Sequence, residues 1–261
     1  MQSSSAKKTV HARSLWLGLS VASGIALLLS LSVTWAASSA RPATPTAQAE
    51  QATHFGPTDK QRRVAKLVSA VVERSHYRQT VINDQISAVL LDRYLENLDP
   101  AHSYFLAGDI EGYQPYRYQL DDAIESGRIE PVFDMYSGLQ QRSHERLQYA
   151  LDLLKSEPDF TKDESYAYDR SKAEWPKDAA DMNELWRKRV KSDAVSLMLT
   201  GKSWTETKDI LTKRYTRALK NLDKVTNDDV FDIFMNAFVH VFDPHSNYFS
   251  PRESDEFRIQ M

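Results

Sequence analysis

The apolar positions along most of this chain recur every three or four residues, the period of a helix with one buried face. After Pro57, Thr58 and Asp59, residues that favour a helix start, Val64, Leu67, Val68, Val71 and Val72 fall on one face. Ile86, Val89, Leu90, Tyr94 and Leu98 repeat the spacing, with Asn83 or Asp84 as cap and Pro100 as the stop. Residues 107–127 read as a further helix bent at Pro115, and residues 131–158 as another. Gly127 ends the first and Pro131 opens the second, the expected asymmetry. Residues 159–179 have no period and read as a long loop with room for a short strand.

Helical spacing returns over 181–201, with Leu185, Trp186, Val190, Val195, Leu197 and Met198 apolar and Gly201 past the end. Ser203 and Glu206 form a capping box for the next helix. Thr226 or Asn227 caps the last, whose face is Val230, Phe231, Phe234, Phe238, Val241 and Phe242. The expectation is an all-α, multi-helix bundle of about seven helices. The 8 Gly and 10 Pro are few for a chain of tight β-turns and agree with it.

Ahead of this body lies a different pattern. Lys7, Lys8 and Arg13 precede an apolar stretch from Leu15 to Val33, and small residues follow. That is the order of a secretory signal, with cleavage after Ala36 or Ala40. The apolar stretch is also long enough to span a membrane as an uncleaved anchor. The predicted organisation is a signal peptide or anchor at 1–40, a flexible linker at 41–57, a helical domain at 58–241 and a connecting segment at 242–261.

A net charge of −3 over 261 residues gives no electrostatic case for nucleic acid. The absence of cysteine excludes disulfides, thiolate zinc sites, a cysteine nucleophile and a lipid-bearing cysteine. One phrase occurs twice: "DPAHSYF" at Asp99–Phe105 and "DPHSNYF" at Asp243–Phe249. Both follow an apolar helix. Proline disfavours helix for the residue before it, so Asp99 before Pro100 and Asp243 before Pro244 must leave the helix. Each Asp can then accept peptide N–H groups two or three residues on, while Tyr104–Phe105 and Tyr248–Phe249 return as apolar anchors. The expected role is a structural corner used twice.

Sharper chemistry is poorly supported. Asp243, His245 and Ser246 are neighbours in one turn and point apart, unlike a hydrolytic triad. His240, Asp243 and His245 match no common metal spacing. Ser4 and Lys7 precede the apolar stretch and have no folded site around them. Met182, Met198 and Met235 read as core filler. The basic run Trp186–Lys191 reads as a solvated face or a partner-docking face, with Arg187 and Arg189 as the candidate contacts. No cofactor or metal is expected.

Asp92–Ile110, Ala173–Asp193, Leu211–Leu222 and Asn227–Phe257 together resemble the N-terminal region of the bacterial tail-specific proteases, members of the carboxyl-terminal processing peptidases. The resemblance runs from about residue 58 to the end. It implies a periplasmic protein that cuts substrates with apolar C-termini, using a Ser–Lys pair in which neutral lysine is the general base. It implies that the helices enclose the substrate space and dock a tetratricopeptide lipoprotein adaptor. In that family the second Asp-Pro phrase leads toward a PDZ domain and then the protease domain. The serine and lysine would lie beyond Met261, so no catalytic residue is carried over and this chain alone is expected to be inactive. The rival reading is a stand-alone secreted helical module that binds or regulates a partner. Against it, the chain ends on "DEFRIQM" with Phe257 and Ile259 given nothing to cover them.

Overall fold

The computed structural model describes residues 55–75, 81–250, 254, 258 and 259. All fall in one compact unit, Glu50–Met261, while the unit Met1–Ala49, with the predicted signal and most of the linker, lies outside the described residues. Among the described residues the regular structure is entirely helical: α1 (Asp59–Ser75), α2 (Asp84–Leu98), α3 (Ala107–Tyr113), a 3-10 turn (Gln114–Tyr118), α4 (Leu120–Ser126), α5 (Glu130–Leu153), α6 (Ala179–Met198), α7 (Trp204–Leu222) and α8 (Asn227–Phe242).

Side-chain caps explain where four of the described helices begin. Asn83 accepts the peptide N–H groups of Gln85 and Ile86, and Asp178 those of Ala180 and Asp181. Ser203 with Glu206, and Thr226 with Asp229, close reciprocal capping boxes. The single helix expected over 107–127 is three pieces. Pro115 lacks an N–H and sits at the start of the 3-10 turn, and Gln119 leaves helical geometry before α4. Gly127 then ends α4 at φ 74, where a Cβ would stand 2.9 Å from the Arg62 carbonyl oxygen. The 159–179 stretch contains no strand.

Two hydrophobic cores form. The larger is built from α1, α2, α4, the first half of α5 and α8, with Leu90, Leu91, Tyr94, Ile124, Phe133, Phe234 and Phe238 fully buried. The smaller joins the second half of α5 to α6 and α7 through Leu147, Ala150, Trp186, Val190, Leu211 and Tyr215. At 24 residues, α5 is the longest of the described helices and the one shared by both cores. Phe55, inside the span read as linker, is buried edge-on to Tyr136, so packing begins before α1.

α1 departs from the sequence pattern. Its buried residues are Gln61, Ala65, Ser69 and Val72. Leu67 and Val71 are 63% and 51% exposed. The helix is turned roughly a quarter turn from the face its valines predict. The cause is at its start. Gln61 donates to the Asn227 carbonyl and the Asp228 carboxylate, at 3.2 and 2.7 Å, and accepts from the Thr58 N–H. A fully bonded glutamine is a stable core residue, and it orients α1 against the first turn of α8.

Candidate functional site

The two Asp-Pro corners carry the same letters in different surroundings. Asp99 ends α2 and is 1% exposed. Its carboxylate accepts the N–H groups of Ser103, Tyr104 and Phe105 at 2.8–3.0 Å. These donors lie four to six residues on, further than the sequence reading placed them. They are backbone dipoles converging on a buried charge, an arrangement that supplies charge-assisted bonds without a cation. The chain reverses sharply at His102, whose φ of 45 is left-handed.

Outside groups hold this corner in place. The His102 ring stacks on Trp175 with 3.7 Å between centroids, and its nitrogens face the Ala173 carbonyl and the Glu96 carboxylate. Trp186 of α6 donates its indole N–H to the Ser103 carbonyl at 2.7 Å. Ala107 donates to the Pro176 carbonyl at 2.9 Å. The anchors then diverge: Phe105 enters the larger core, Leu106 packs on the smaller, and Tyr104 touches both. Burial raises the Tyr104 hydroxyl pKa, and the neighbouring Arg189 partly offsets that shift. The first corner is therefore the joint between the two cores.

The second corner is solvent-facing. The Asp243 carboxylate accepts one N–H, from His245 at 3.0 Å. Tyr248 donates its N–H to Asn236 of α8 and packs edge-on to Phe231. Phe249 is 48% exposed. His240 pairs with Asn247 at 3.0 Å. Among the described residues no cluster of three or more histidines and carboxylates is placed to hold a metal.

The basic run on α6 is committed to contacts within the chain. Arg187 grips both Glu164 and Glu184, and Lys191 reaches Glu164 at 2.8 Å and the Lys162 carbonyl at 2.7 Å. Hydrogen bonds from Arg187, then Lys191 and Lys162, hold the Glu164 carboxyl well below the usual glutamate range. This network straps the 155–178 segment across α6. Arg189 lies over the Trp186 ring, 4.5 Å from its centroid. Nothing in the sequence pattern singled out Glu164.

A family model described as "Tail specific protease N-terminal domain" matches residues 68–252, spanning both corners and the α6 clasp. The chain belongs to the tail-specific protease N-terminal domain family. It is 39% identical over 201 residues to the tail-specific protease of Haemophilus influenzae. That alignment covers 77% of this chain and 29% of the relative, so the chain spans under a third of the curated relative it matches. The all-α bundle expected from the helical periodicity is the fold observed among the described residues.

Proposed function

We propose that this helical body serves a periplasmic tail-specific serine endopeptidase as its N-terminal domain, walling the substrate space and offering a docking face to a helical-repeat adaptor. The observation that carries the reading is the family match across 68–252, over the part of the chain that forms both cores. In this reading the N-terminal signal directs export, and the substrates are unfolded proteins recognised by apolar C-termini. Peptide cleavage is performed by a Ser–Lys dyad outside the matched region, so no residue here takes a catalytic role. The body's contribution is mechanical: two cores tied at one corner make a rigid wall.

Both candidate docking contacts are already engaged within the chain. Arg187 is used in the Glu164 clasp, so reversing its charge would disturb the strap as well as any partner. Arg189 lies over Trp186 and beside the Tyr104 hydroxyl, so Arg189→Glu is read together with the melting temperature of the free chain; it should weaken adaptor binding at least tenfold, and unchanged affinity removes α6 as the docking face.

The reading itself is tested on the native gene product. Periplasmic extract is immunoblotted with antibody raised against residues 58–250. A band more than twice the 29.9 kDa of this chain supports the protease reading. A periplasmic band slightly below that mass makes the helices a mature product in their own right and replaces the reading with a stand-alone binding module.

A further inference from the structure

The outward face of α1 is a built line of exposed groups that the packing leaves unused. Lys60, Arg63, Leu67, Val71 and Arg74 are all exposed and recur at intervals of three and four residues, so they share one side of the helix. Val64 and Val68, half-buried, border the apolar centre. The three cations make no ion pair or hydrogen bond with any described residue, although the chain ties down many of its other surface arginines. No carboxylate lies on that side between Lys60 and Arg74.

We propose that this face docks an acidic amphipathic helix of a partner protein, one with two apolar residues at its centre and carboxylates toward both ends. The order along α1 is cation, apolar pair, cation, over about 21 Å at 1.5 Å per residue. A partner helix laid along that length buries Leu67 and Val71 and meets Lys60 and Arg63 at one end and Arg74 at the other.

Two other occupants fit less well. A second copy paired antiparallel through Leu67 and Val71 would set Lys60 and Arg63 near the other copy's Arg74, like against like. A membrane-surface helix carries its cations beside a broad apolar face, with aromatic or leucine residues sinking into the lipid. Here the cations are in line with only two exposed apolar side chains, and the opposite side of α1 is locked in the core. The site is separate from the α6 face and does not depend on the protease reading.

The test uses the full chain and two synthetic 18-residue helical peptides. One has leucines at the centre and glutamates toward both ends; the other has lysines in their place. Binding is followed by fluorescence anisotropy, with phosphatidylglycerol vesicles as a third probe. The acidic peptide should bind the native chain. Affinity should fall at least tenfold in Leu67→Asp/Val71→Asp and in Arg63→Glu/Arg74→Glu. The second variant alters only exposed charges, which keeps the test valid should the first fold poorly, and it should gain affinity for the lysine peptide. The proposal is overturned by no binding of the acidic peptide, or by equal binding to the native chain and the charge-reversed variant. Vesicle binding that is lost in both variants overturns it in favour of a lipid surface, and a dimer dispersed by both variants overturns it in favour of a second copy.

Discussion

Asp99 and Asp243 occupy the same place in a repeated phrase, and their replacement by alanine should have very different consequences. Asp99→Ala removes the acceptor of three N–H groups, two of them buried and the third partly so. Each donor left without a partner costs about 1–3 kcal/mol. The terms do not add in full, because a relaxed corner admits water, so the loss should be about 3–5 kcal/mol. Asp243→Ala removes one bond in a solvated turn and should cost about 0.5–1 kcal/mol. Urea unfolding followed by circular dichroism measures both, with the denaturant slope checked for constancy. For a body of this size each kcal/mol moves the melting temperature by roughly 2–4 °C. Asp99→Ala should therefore melt roughly 6–20 °C below the native protein, and Asp243→Ala only a few degrees below. Equal losses in the two variants, or less than about 1 kcal/mol for Asp99→Ala, would show that the converging N–H groups do not stabilise the corner.

Glu164→Gln should free the strap and raise the rate of limited proteolysis within 155–178 several-fold while leaving the helical signal intact. Because the folded-state pKa of Glu164 lies below its unfolded value near 4.5, the strap's protection should be complete at neutral pH and fade only as pH falls below that value. Protection that instead changes between pH 6 and 8 would point to another group. Trp186→Phe removes the indole N–H and part of the ring, so it strands the buried Ser103 carbonyl and leaves a small cavity, and should cost about 2–4 kcal/mol in thermal unfolding. Gly138→Ala should destabilise the native protein, since its Cβ would collide with the Tyr113 hydroxyl. In a Tyr113→Phe background the same change should turn stabilising by about 0.5–1 kcal/mol through helix propensity.

α7 and α8 were legible because caps, period and burial agree there. Thr226 and Ser203 sit where their side chains close the first turn, and the α8 phenylalanines meet the core as their spacing predicts. α1 misled because valine periodicity competes with a glutamine whose partners, Asn227 and Asp228, are more than 160 residues away. A polar side chain that becomes fully bonded only through tertiary structure leaves no local signal. The Asp-Pro phrase was recognised as a corner, but its sequence could not distinguish a joint from a surface turn. That difference rests on Trp186 and on residues 173–176, which close over one copy only. The clasp was half visible: the basic run stood out, while its acidic partner was one glutamate in an aperiodic stretch.

The placement of Phe105 in one core, Leu106 on the other and Tyr104 on both has a consequence for how the molecule opens. Local fluctuations normally let the segments between helices exchange their amide hydrogens long before the helices do. Here the amides of Ser103, Tyr104 and Phe105 cannot leave Asp99 without disturbing the anchors that sit in both cores. They should exchange with the helix interiors, and the two halves flanking α5 should lose protection as one cooperative unit. A corner between helices would then report the global opening of the whole helical body.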